Sequence, residues 1–307
     1  NYNMAFGSHA LGANTTASNN IAIGYQALTA NTTGAERTAV GVASSYGSDT
    51  ESDNTVSVGY RAMYMNDATS ADATDSVAIG HSAMLADAST SASLISNTAV
   101  GTDAIRIAAN TTGAVSYNAA VGTQAMRFNA NTTGTVQYNA ALGYEALEID
   151  ANTTGSVTNN VAVGHQALKS ASNTTGNVQY NVAVGSKALD ICIASSNTAV
   201  GNDALGACTT GATNVAVGLN AGVDLTTGDN NTCLGPSAGN DLTEGDQNVF
   251  VGYNVKPGGA TESYQIVIST DQDSGKGAST AFIAPNGGSV YQDNNSADWA
   301  TTSDERI

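Results

Sequence analysis

Large apolar side chains are scarce in this sequence. Aromatic residues make up 6% of its 307 positions, proline occurs 3 times, and alanine and valine carry most of the apolar character beside 33 glycines. A globular core of that length draws on more large side chains. The composition therefore argues against two ordinary globular domains and predicts thin packing, as in a solenoid or a multi-chain fibre. Basic residues are scarce too: 9 against 26 acidic ones, for a formal charge of −17. Without clustered Lys and Arg to neutralise phosphates, nucleic acid is not expected as a partner, and the acidic balance serves the solubility of an elongated particle. No apolar run approaches the roughly 18 residues of a membrane span, so membrane insertion is not expected. Residues 1–20 carry neither the basic start nor the apolar block of a signal peptide. The chain opens inside a repeat (Asn3, Ala5, Phe6, Gly7), which predicts a segment of something longer.

What the sequence does contain is that repeat, and a period in this range signals stacked units. About fourteen copies of N-x-A-V-G succeed one another, with motif glycines at Gly7, Gly24, Gly41, Gly59, Gly80, Gly101, Gly122, Gly143, Gly164, Gly185, Gly201, Gly218, Gly235 and Gly252. The steps between them are 17, 17 and 18, then six of 21, then 16 and three of 17. An apolar residue precedes every motif glycine. Alanine stands two before it except at Ser57, Cys233 and Phe250, and asparagine four before it except at Arg37, Thr55 and Ser76. Alanine recurs three after it, save at Ser44 and Val255. Val-rich stretches of alternating character predict short β-strands. The glycine supplies a backbone angle or a close approach that a Cβ would block. Asparagine amides bond readily to nearby backbone, so a ladder of stacked asparagines is expected to satisfy the turns of successive coils.

Two repeat lengths sharpen this reading. Many copies carry a T-T-G tail, as in Thr32-Thr33-Gly34 and Thr226-Thr227-Gly228. In the 17-residue copies its glycine follows the motif glycine by ten residues (Gly24 to Gly34), and in the 21-residue copies by twelve (Gly101 to Gly113). The return to the next asparagine lengthens from three residues (Gly228 to Asn231) to five (Gly113 to Asn118). The long form thus adds two residues on each side of T-T-G. Strand side chains alternate with period two, so such an insertion preserves which face is buried. T-T-G is predicted to be a turn flanked by two strands that the long form extends, with Val115 and Tyr117, Val136 and Tyr138, and Val178 and Tyr180 in equivalent places. One coil of this size encloses little core; three chains side by side share one, which predicts a homotrimer.

Sites for chemistry are sparse. His9, His81 and His165 read as exposed variable positions; His81 and His165 both follow a motif glycine but stand four repeats apart. Tyr25, Tyr60, Tyr144 and Tyr253 occupy that same slot, as an aromatic stripe that contacts glycans or packs between chains. Cys192 and Cys208 each lie seven residues after their motif glycine, so stacking places them in adjacent coils at a spacing compatible with a disulfide. In a reducing cytosol they read as two free buried thiols. Cys233 takes an alanine slot and reads as a small core residue. Acidic residues do not converge on one motif position, and no pair shows the fixed separation of catalytic carboxylates. Asp271, Asp273 and Gly275 faintly match a calcium loop without its later ligands, so a solvated turn is expected, with no metal and no cofactor. Thr pairs at turns beside Gly argue against an ice-binding array.

The N-x-A-V-G-x-x-A-L pattern over residues 3–256 resembles the head repeats of trimeric autotransporter adhesins and, more closely, the repeats of bacteriophage tail fibres. The resemblance implies a trimeric, left-handed parallel β-roll or β-helix-like shaft over residues 1–256. It implies a virion location, neighbouring tail or fibre proteins, and a glycan or protein receptor on the host cell surface. The motif is lost over 257–302, where Tyr264–Ser269 and Ala281–Ile283 read as strands of a short intertwined β tip. At the C-terminus, Gly287 to Gln292, Asn294 to Ser296, Trp299 and Thr301 to Ile307 are similar to the junction before the intramolecular chaperone of endosialidase-type phage fibres. Carried over, residues 303–307 begin that junction. The resemblance implies one-time autocleavage between Ser303 and Asp304, with Ser303 as nucleophile. The family motif continues with a Lys after the position of Ile307, where this sequence stops. The leading expectation is a structural and adhesive shaft, and otherwise not an enzyme. The alternative is an adhesin head, for which a coiled-coil stalk and membrane anchor would follow Ile307.

Overall fold

The computed structural model describes residues 2–47, 53–65, 73–87, 93–107, 112–128, 133–149, 154–170, 176–285, 288–292 and 300–302. Among them every helix or strand assigned is a β-strand. The chain divides into two compact units, Asn1–Ala162 with Ser170–Val178, and Val163–Lys169 with Gln179–Ile307.

In the first unit each repeat contributes one motif strand, and successive strands pair in parallel. Met4–Phe6, Ile21–Ile23, Thr38–Val40 and Val56–Val58 form one run. It continues through Val77–Ile79, Thr98–Val100, Ala119–Val121 and Ala140–Leu142. The register matches like with like: Ala22 lies beside Ala5 and Ala39. The second unit repeats the design with Val182–Val184, Thr198–Val200, Val215–Val217, Thr232–Leu234 and Val249–Val251. Each unit is a parallel β-solenoid with one coil per repeat.

The N-x-A-V-G motif ends at Gly252, yet the parallel pairing runs on through Ile266–Ser269 and Ala281–Ala284. Gln265 fills the asparagine slot there, its N–H donating to Asn248 Oδ1 at 2.9 Å, and Ser269 stands in the glycine slot. Ser289–Gln292 and Ala300–Thr302 then pair antiparallel.

The interior follows from strand alternation. The middle residue of each motif strand points inward, and Ala22, Ala39, Ala78, Ala99 and Ala216 are fully buried. The alanine three after the glycine is buried as well, at Ala27, Ala62, Ala83 and Ala104. Two alanine columns line the interior, and larger buried side chains such as Leu28, Leu205 and Phe250 complete it.

The long coils carry two further parallel ladders in the first unit. Their outward arms pair as Met63–Met65, Met84–Ala86, Ile105–Ile107, Met126–Phe128 and Leu147–Ile149. Their return arms pair as Val115–Ser116, Val136–Gln137 and Val157–Thr158. The two added residues on each side of T-T-G thus become strand. Met63, Met65, Ile105, Ile107 and Met126 supply the larger buried side chains, each worth roughly 1.5–3 kcal/mol on burial. In short coils the residue four after the motif glycine turns the chain instead, with left-handed φ of 51° at Leu28, 54° at Leu189 and 51° at Leu205.

Candidate functional site

Three columns of side chains run from coil to coil, and they define what the molecule offers for binding or chemistry. The first is internal. Asn139 Nδ2 donates to Val157 O at 2.8 Å, while its Oδ1 accepts the Asn160 N–H at 3.0 Å and Asn160 Nδ2 at 2.9 Å. Asn118, Asn214 and Asn231 repeat the pattern, so the expected asparagine ladder is present. Arg37 interrupts it as a buried cation: Nε donates to Thr55 Oγ1 at 3.1 Å and Nη1 to Asn31 Oδ1 at 3.2 Å. Burial lowers its pKa to about 10, with the charge of Asp53 acting in the opposite direction. Because the column is consumed by its own hydrogen bonds, it is structural.

The second set is aromatic and external. Tyr25, Tyr60, Tyr144 and Tyr253 are all exposed. Stacking does not gather them: Val42 stands between Tyr25 and Tyr60 in the slot, as the backbone bonds from Ala43 to Tyr25 and from Arg61 to Val42 show. What it does bring together is Tyr60 and His81, whose rings stack at 5.2 Å. His9 meets Tyr25 edge-on at 6.1 Å. Two further pairs lie outside the slot that the sequence singles out. Tyr46 stacks on Tyr64 at 5.1 Å with Arg61 over the latter at 4.7 Å, and Tyr117 stacks on Tyr138 at 5.1 Å. Their spacing carries the signal: Tyr46 and Tyr64 each follow their glycine by five residues, and Tyr117 and Tyr138 each precede their asparagine by one. Rings stacked in this way cover one another's faces, while Tyr117 and Tyr138 stay exposed.

The third set is apolar and external. The residues on either side of each inward alanine point out, and Ile21, Ile23, Val56, Val58, Ile79 and Val121 are exposed in the first unit. Val215, Val217, Leu234, Ile266 and Ile268 are exposed in the second. β-Branched side chains at successive coils form a continuous stripe along each unit's motif ladder.

Several charged groups are occupied locally. Glu148 is buried and pairs with Arg127 at 2.7 Å. Asp229 Oδ1 accepts the Ala212 N–H and Asp246 Oδ1 the Asp229 N–H, both at 2.7 Å, so these carboxylates tie coil to coil. In the Asp271–Gly275 loop, Ser269 Oγ donates to Asp273 Oδ2 at 2.5 Å and the Gln272 N–H to Asp271 Oδ1 at 2.8 Å, an internally bonded turn. Among the described residues no three His, Cys, Asp or Glu converge as metal ligands, and no helix is long and apolar enough to cross a membrane.

Cys192 and Cys208 stack as expected, with sulfurs 3.2 Å apart and no bond between them. Hydrogen bonding to Cys192 and burial raise the pKa of the Cys208 thiol. Burial pushes Cys233 up to about 12. Ser303 and Asp304 lie outside the described residues. No family model matches this chain, and no curated protein or solved structure matches it either.

Proposed function

We propose that this chain is part of the shaft of a bacteriophage tail fibre, a homotrimer that supports attachment to the host cell surface. The observation that carries the reading is the apolar stripe on the motif ladder. Exposed Ile23, Val58, Ile79 and Val121 line the outer side of the first unit's ladder, and Val217, Leu234 and Ile268 that of the second, and runs of exposed apolar side chains of this kind mark protein contacts. The stripe lies on the outer side of strands whose inner side holds the buried alanines, so the chain's own core does not cover it. A second and third copy cover it, and identical chains in register present identical stripes to one another.

The stacked aromatic pairs suit an adhesive role. Exposed Tyr60, with Arg61 and His81 against its ring, offers hydrogen-bond partners to the hydroxyls of a surface glycan. The phage assignment, as opposed to a bacterial adhesin head, rests on the similarity around Ser303–Asp304.

Light scattering tests the assembly: a mass of three chains is expected, and a mass of one chain overturns the trimer. Cleavage tests the origin. In the full-length protein a Ser303→Ala change is expected to leave a single uncleaved polypeptide on a denaturing gel. Unimpaired cleavage overturns the autoprocessing assignment.

A further inference from the structure

The thiols of Cys192 and Cys208 have no part in the reading above. They are fully buried, 3.2 Å apart, and sit in the same turn of successive coils. The Cys192 N–H donates to Leu189 O and the Cys208 N–H to Leu205 O, the same bond one coil later. The Ile193 N–H donates across to Thr209 O at 2.9 Å, so the two backbones run side by side just beyond the thiols. Coil spacing places their Cα atoms about 4.8 Å apart, inside the roughly 4.4–6.8 Å range that a disulfide spans. Elsewhere in the second unit the slot holds Leu225 and Leu242, both buried. A leucine therefore fills the same space, and packing does not require sulfur here. Cys233 faces a different part of the interior, beside Gly222 and Gly239.

We propose that Cys192 and Cys208 form a latent inter-coil disulfide, a modification site that closes in an oxidising medium by exchange with a small-molecule disulfide. One thiol loses its proton and attacks a sulfur of glutathione disulfide, which breaks the S–S bond and releases one glutathione thiolate. The second thiol, deprotonated in turn, attacks the cysteine sulfur of the mixed disulfide and releases the second glutathione. The two cysteines lose two electrons, glutathione disulfide gains two, and the two protons end on the released glutathiones. Access requires the turn between Ile191 and Ser195 to open, so closure is slow. Once made, the bond is shielded from reductants by the same burial. It would join neighbouring coils covalently where the fold already holds them by backbone hydrogen bonds.

The test equilibrates the reduced full-length chain in buffers of graded glutathione to glutathione-disulfide ratio, followed by acid quenching, alkylation and peptide mass mapping. The expected product is one Cys192–Cys208 bond with Cys233 alkylated. Half-oxidation is expected at a ratio at least tenfold more reducing than for the same chain in denaturant, because the native fold pre-positions the sulfurs. The oxidised form should also melt at a higher temperature than the reduced form. Cys208→Leu, which takes the side chain its column uses elsewhere, should fold normally and show neither the bond nor the rise. Half-oxidation at the denatured-chain ratio, pairing through Cys233, or a full complement of alkylated thiols at equilibrium would each overturn the proposal.

Discussion

Asparagine in a buried slot works here because a single side chain serves four backbone or amide partners. Asn139 takes the Asn160 N–H and part of its amide on Oδ1 and gives Nδ2 to Val157 O and to Asn118 Oδ1. Asn139→Ala removes all four bonds and strands a buried N–H and a buried carbonyl. Leaving such groups unsatisfied costs roughly 1–3 kcal/mol each, so a loss of at least about 2 kcal/mol is expected. The guanidinium midpoint measures it, and an unchanged midpoint would mean that the column is not what joins these coils. The column also tolerates departures that keep a hydrogen-bonding group in place: Ser76 Oγ accepts the Asn97 N–H at 3.1 Å, as the asparagines do. Arg37 is the costlier departure, since a buried guanidinium depends on its partners, Asn31 and Thr55 by hydrogen bond and Asp53 by charge, to offset its desolvation.

At the scale of the coil, the motif glycine is fixed by two constraints at once. Gly122 has φ +132°, and a Cβ built on it would stand 2.5 Å from the carbonyl oxygen of Gly143 in the next coil. Gly122→Ala therefore strains its own backbone and pushes the neighbouring coil away. A loss of about 3 kcal/mol or more is expected in thermal or denaturant unfolding. Gly288, with no atom within 4 Å of its built Cβ, should accept alanine within about 0.5 kcal/mol. Equal effects at both positions would sink the close-approach account. This part of the fold was legible in the sequence, because a fixed glycine, a fixed asparagine and a symmetric insertion around T-T-G leave traces in one-letter code. The corners were not. Glu36, Arg61, Tyr117 and Tyr138 all adopt left-handed φ between 52° and 60°, and no shared side-chain chemistry announces it. Their conformation is set from outside, by N–H bonds to another coil such as Arg61 to Val42 O at 3.0 Å and Tyr117 to Ile95 O at 2.9 Å. The ladder beyond Gly252 was hidden for a similar reason: Gln265 and Ser269 keep the register without keeping the motif letters. Of the candidate surface, the tyrosine slot was visible, but which rings meet depends on which coils adjoin, as with Tyr60 and His81.

For the whole molecule, the question is what the stripe of β-branched side chains faces. Val121 and Val217 are each 40% exposed, one in each unit, on the outer side of a motif strand whose inner side holds a buried alanine. If that surface faced water, replacing both valines by lysine would be nearly silent, since surface substitutions away from special features stay within about 0.5 kcal/mol. If three copies cover it, the same change forces three ammonium groups per layer into an apolar seam. Burying unpaired charge there costs far more than the apolar stem of lysine recovers. The doubly substituted chain V121K/V217K is therefore expected to keep its β-sheet circular dichroism while its scattering mass falls from three chains to one. Placing lysine in both units matters, because either stripe alone would hold copies together. A trimer that survives the double substitution would mean that the stripe is not the contact, and the assembly would have to be sought on the tyrosine-bearing faces instead.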